Sequence, residues 1–173
     1  MKKIILFAIA VIVFASCEKT SDSNGNTNGT VARGSIVATV DGVTTTYNGT
    51  VSGVIQDSGT DIELQGATGT YPNLGAGIIL DITGPSLSAR TYTDTIASLP
   101  YFISDAGIGY IDALGNSYFD APSSAGFSTI TVTSLTSTQI QGTFQGIVFV
   151  GADTSQAKKT VTNGKFNLSL RTL

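Results

Sequence analysis

The feature that most limits what this chain can fold into is a two-residue break in a β-branched run. Ser35-Ile-Val-Ala-Thr-Val40 leads to Asp41-Gly42, and Val43-Thr-Thr-Thr-Tyr47 resumes the same texture. A tight hairpin turn needs positive φ at both central residues, which Asp and Gly adopt more readily than most. The segment therefore predicts a β-hairpin. Strand-like runs follow at residues 50–56, 61–65, 77–83, 90–93, 107–112, 117–119, 127–133, 139–150 and 161–170. Clusters of Gly, Pro, Asn, Asp and Ser separate them, as in Thr83-Gly84-Pro85-Ser86 and Leu114-Gly115-Asn116.

The two longest runs alternate. Ile140, Gly142, Phe144, Gly146 and Val148 oppose Gln141, Thr143 and Gln145. Phe166, Leu168 and Leu170 oppose Asn167 and Ser169, so one face should be buried and the other wet. No segment after residue 17 carries a helical stripe. The expected fold is all-β, an antiparallel β-sandwich of about 9–10 strands, with a closed or partly open β-barrel as the alternative.

The N-terminus indicates an address. Lys2 and Lys3 precede an apolar run, residues 4–14, which is too short to span a bilayer as a helix. Phe14-Ala15-Ser16-Cys17 then resembles the bacterial lipobox, in which the Cys is lipidated. Cys17 is the sole cysteine and has no disulfide partner in the chain. The expected organisation is a signal peptide over 1–16, a lipidated Cys17 with a flexible tether over 17–34, and one domain over 35–173. The tether is Gly-, Asn- and Ser-rich without periodicity. The lipid would hold the protein at the outer membrane of the cell envelope, on its periplasmic or its outer side.

Composition excludes several chemistries. The chain has no His and no Trp, so His-dependent triads, dyads and zinc sites are impossible. Removing Lys2 and Lys3 leaves 7 basic against 12 acidic side chains, a formal charge of −5. Scattered basic residues in an acidic domain give no footprint for nucleic acid. No cofactor is expected.

The order of sequence words also resembles a family. Ser35–Tyr47 is followed by Gly69-Thr70-Tyr71, then Ser128-Thr-Ile-Thr-Val-Thr133, then Ile140-Gln-Gly-Thr-Phe144, and then Val161-Thr-Asn-Gly-Lys-Phe-Asn167. This is similar to a family of uncharacterised Bacteroidota lipoproteins whose β-rich domain ends in an ITIT…ISGTF…ITNGxF pattern. The resemblance implies fold and address and carries no activity.

Four sets of candidate residues remain. Asp57, Asp61 and Glu63 form the densest acidic segment, and oxygen ligands on a Gly-containing loop suit calcium, although the EF-hand spacing is absent. A polar hairpin tip is the plainer reading, and no metal is expected. Asp81, Asp94, Asp105, Asp112 and Asp120 are scattered carboxylates from which a glycosidase pair could be drawn. Tyr101, Tyr110 and Tyr118 fall within twenty residues and offer rings suited to sugars or protein partners. Ordinary strand aromatics are the plainer reading. Asp94-Thr95-Ile96 resembles a Bacteroidota O-glycosylation pattern at Thr95.

The resulting expectation is a non-enzymatic, lipid-anchored envelope module whose partner is an envelope protein or a glycan. One alternative is a glycan-binding surface lipoprotein of an outer-membrane uptake system. A carboxylate-dependent hydrolase is the other.

Overall fold

The computed structural model describes residues 31–94, 106–121 and 126–173. The described residues are all-β, as expected, with no α-helix among them. The strands are β1 (Ser35–Val40), β2 (Val43–Tyr47), β3 (Thr50–Gln56), β4 (Asp61–Ala67), β5 (Gly77–Thr83), β6 (Thr91–Thr93), β7 (Ala106–Ile111), β8 (Ser117–Phe119), β9 (Ser128–Leu135), β10 (Gln139–Val150), β11 (Lys158–Ser169) and β12 (Arg171–Thr172). They belong to one curled mixed sheet that forms a half-barrel, with the order β2-β1-β11-β10-β8-β7-β5-β4-β3-β12.

The first hairpin forms as read. Asp41 and Gly42 have φ of 47° and 85°, and β1 and β2 pair without a break from Val40↔Val43 to Ile36↔Tyr47. Long β10 has a divided edge. β9 pairs with its first part, β8 with Phe149 and Val150 at its end, and β6 lies beyond β9. The curl is completed by β12, which continues β11 past Leu170 and pairs in parallel with β3 at Arg171↔Val54.

The inner face carries Ile36, Tyr47, Leu64, Ile78, Leu80, Ile108, Phe144 and Phe166, all buried. Gly66 admits the first hairpin onto β4. A Cβ there would stand 2.9 Å from Tyr47 Cβ and 3.1 Å from Ile36 Cδ1. Phe166 and Leu168 on β11 and Leu170 just past it are buried and Ser169 is exposed, as the alternation requires.

Asn167 departs from the expectation that it faces water. It is buried, because residues preceding β1 lie over it. Its Nδ2 donates to the Val31 carbonyl at 3.0 Å, and its Oδ1 accepts from Gln139 Nε2 at 2.8 Å. The Gly34 N–H donates to the Asn167 carbonyl at 2.8 Å, and the Arg33 guanidinium donates to Ser169 Oγ at 3.0 Å. The last residues of the expected tether are thus held to the C-terminal end of β11.

Strand registers gather four connections at the opposite end. Val40↔Val161 places the β1–β2 turn there, and Gly77↔Ile111 does the same for the 68–76 connection. Ile111↔Ser117 and Val150↔Tyr118 add the β7–β8 and β10–β11 turns. β11 runs twelve residues between the two ends, roughly 40 Å at about 3.3 Å per residue.

Candidate functional site

Alternation along β4 and β5 sends Ile62, Leu64, Leu80 and Ile82 into the core and leaves Asp61, Glu63 and Asp81 on the other face. Glu63 stands directly opposite Asp81, and Asp81 opposite Gly107 on β7. Gly107 has no side chain to separate its neighbours. A Cβ there would lie 3.2 Å from Asp81 Cβ and 3.9 Å from both Asp120 carboxylate oxygens. Asp94, just after β6, is fully buried, and its N–H donates to the Ser128 carbonyl at 2.9 Å. The Glu63 carboxylate accepts from Gln65 Nε2 and, at 3.5 Å, from Gln56 Nε2.

Crowded carboxyls out of water cannot all ionise. Burial pushes the Asp81 pKa up to about 8, reinforced by its hydrogen bond with Asp61 and by the charges of Asp61, Glu63 and Asp120. Burial also pushes Asp120 up to about 7, with the Asp94 charge as the next cause. Asp81 and Asp120 therefore hold protons at pH values where ordinary carboxyls have lost them. This arrangement can share or donate a proton. Among the described residues, no three acidic, His or Cys side chains are arranged to hold a metal ion.

The structure brings together residues that the sequence offered in separate groups. Asp61 and Glu63 came from the calcium segment; Asp81, Asp94 and Asp120 came from the scattered carboxylates. Asp57 lies exposed in a 3-10 turn (Asp57–Gly59), and the acidic neighbours acting on Asp81 are Asp61, Glu63 and Asp120. Asp112 is partly buried in the β7–β8 turn, where its Oδ1 accepts the N–H groups of Leu114 and Asn116, each at 2.9 Å. Asp105 lies outside the described residues.

Of the tyrosine set, Tyr110 and Tyr118 stand opposite one another, with ring centroids 5.9 Å apart and planes 36° apart. Tyr118 is buried and Tyr110 is partly buried, so both contribute to the wall of the half-barrel. Lys159 Nζ lies 5.7 Å from the Tyr118 ring centroid and 2.9 Å from Asp41 Oδ2. Burial, and then the nearby Tyr110, push the Tyr47 hydroxyl up to about 12. Tyr101, Thr95 and Cys17 lie outside the described residues.

The turn end itself was not singled out by sequence reasoning. Tyr71, Leu74 and Leu114 are exposed there on two connections, as are Val43 and Val150 at the strand ends flanking two more. Leu114 is the most exposed, at 89 %. The available signal was an apolar residue inside a turn, Ala113-Leu114-Gly115-Asn116. A shallow groove of about 390 Å³ also crosses β9, β10 and β11, lined by Thr129, Thr131, Thr143, Gln145, Asn163 and Lys165.

Compared with family models, curated proteins and solved structures, the chain matches none of them.

Proposed function

We propose that this protein is a lipid-anchored envelope lipoprotein whose β-domain is a non-enzymatic interaction module. The observation that carries the reading is the separation of its two ends. The chain from Cys17 reaches the domain at residues 31–34, beside Asn167 and Ser169. Val43, Tyr71, Leu74, Leu114 and Val150 project at the other end. A domain tethered at one end presents the other to the surroundings, and exposed apolar side chains set in polar turns suit contact with a protein.

Two measurements test the reading. Cys17→Ala should abolish palmitate labelling and release the protein from the membrane fraction; unchanged labelling and fractionation would refute the anchor. A photo-crosslinking residue at Leu114 should capture an envelope protein in intact cells, whereas one at Asp57 should not. Equal yields at the two positions would refute the module.

A glycan-binding role is the second reading, supported by the shallow groove across β9–β11. Its hydroxyl and amide lining suits sugar hydroxyls, and Lys165 adds a cation. Loss of binding on a glycan array by Gln145→Ala and Asn163→Ala together would support this reading over the first.

A further inference from the structure

β2 is the last strand on its side of the sheet, and among the described residues it pairs with β1 alone. In a hairpin with a two-residue turn, the closing pair exchanges both backbone hydrogen bonds, and hydrogen-bonded pairs then alternate along the ladder. Here the closing pair is Val40 and Val43. The N–H and C=O groups of Val43, Thr45 and Tyr47 therefore turn toward β1, and those of Thr44 and Thr46 turn outward. Exposed edges are ordinarily blunted by charge, proline or a bulge. Val43-Thr-Thr-Thr-Tyr47 has no charge and no proline, and its register with β1 is unbroken. Thr44 and Thr46 are exposed among the described residues, and Gly66 of β4 meets Tyr47 through its Cβ, on the core-facing side of β2.

We propose that β2 is a self-association edge, at which two copies of this chain pair antiparallel about a two-fold axis through Thr45. In that register Thr44 and Thr46 exchange backbone hydrogen bonds with the partner's Thr46 and the partner's Thr44. Thr45 faces the partner's Thr45, and Val43 faces the partner's Tyr47. A second copy fits because the edge is self-complementary, as a two-fold interface must be. Thr44-Thr45-Thr46 reads alike in both directions, Thr–Thr pairs stabilise antiparallel strands, and no like charges meet. The other thinly paired strands, β6 and β12, have only three and two residues.

The register makes a sharp test. Thr45 and the partner's Thr45 form a non-hydrogen-bonded pair, with Cα atoms about 4.5 Å apart. That is within disulfide reach, which ends near a Cα separation of about 7 Å. Thr46 and the partner's Thr46 fall two positions out of register, about 8 Å apart, given strand spacings near 4.8 Å and a rise of about 3.3 Å per residue. Oxidation of the purified full chain carrying Thr45→Cys should give a reducible dimer. Thr46→Cys should give no more dimer than the parent, whose sole cysteine is Cys17. Sedimentation should find the parent dimeric and Thr46→Pro monomeric, since proline there removes an outward N–H and leaves the β1 ladder intact. A monomeric parent, equal cross-linking at 45 and 46, or capture of a different protein at this edge in place of a second copy overturns the proposal. The cysteine pair decides the matter even where the proline variant fails to fold.

Discussion

Asp41 and Asp81 are the same side chain in opposite settings. Asp41 sits in the β1–β2 turn, where it accepts the Thr160 N–H at 2.9 Å and pairs with Lys159 at 2.9 Å. The backbone hydrogen bond, aided by Lys159 and opposed by partial burial, holds its carboxyl below the usual range. Asp81 faces Glu63 across the ladder, with Asp61 and Asp120 nearby, and burial with those neighbours pushes it up to about 8. The difference lies in the donors that each carboxyl meets. The half of the sheet around β1 and β11 satisfies its polar groups with N–H donors and a cation. Around β4, β5 and β7, Asp81 and Asp120 instead retain their protons.

The comparison assumes that the first half is well packed as well as well paired, and β11 tests this with the largest effect. Phe166 is buried, its ring centroid 6.4 Å from that of Phe144, and a Cβ on Gly142 would lie 2.5 Å from its Cζ. Phe166→Ala should cost about 3–5 kcal/mol in chemical denaturation. Asn167→Ala removes the bonds to Val31 and Gln139 from a buried position and should cost about 1–3 kcal/mol. Equal costs would place both residues on equivalent faces and break the assigned register.

The second half should reveal itself through pH. An unfolded carboxyl has lost its proton by about pH 5, whereas Asp81 and Asp120 in the fold retain theirs until about 8 and about 7. Between these limits the folded state binds more protons than the unfolded one, so stability falls as pH rises and levels off above the folded pKa values. Urea unfolding from pH 5 to pH 9 should show a loss on the order of a few kcal/mol. Asp81→Asn keeps the shape without the titration, so it should flatten that slope and exceed the parent in stability at pH 9. A slope that Asp81→Asn leaves unchanged would show that the patch is ionised in the folded protein.

The two halves also differed in how far the sequence could be read. The Asp41-Gly42 turn and the alternation of Phe166, Leu168 and Leu170 are local signals. Positive φ at 41 and 42 and a period of two need nothing from distant residues. The acidic patch depends on which strands pair. Asp61 and Asp81 are twenty residues apart and Asp120 is a further thirty-nine along, and only the β4–β5–β7–β8 order joins them. Asn167 was misread because alternation assigns a face but does not show that residues 31–33 lie over it. The closing pair of β12 with β3 is two residues long, below any periodic signal.

The smallest expected effect separates turn geometry from charge at Asp41. Asp41 has two roles: it occupies a position of positive φ, and it carries a carboxylate beside Lys159. Asn tolerates the left-handed conformation nearly as well as Asp and can still accept the Thr160 N–H through its side-chain oxygen. Asp41→Asn therefore removes the charge and little else. Exposed ion pairs contribute little because water screens them, so the thermal midpoint at neutral pH should stay close to that of the parent and be insensitive to salt. Asp41→Val loses the turn conformation and the Thr160 acceptor together and should fall clearly below Asp41→Asn. The depressed pKa of Asp41 gives stability that is present at neutral pH and lost as pH falls below the usual carboxylate range, opposite in sign to Asp81. Asp41→Asn should accordingly be slightly less sensitive to acid than the parent. If it instead destabilised as much as Asp41→Val, the ion pair rather than the turn would hold the hairpin to β11, and the two aspartates would differ in their charge partners alone.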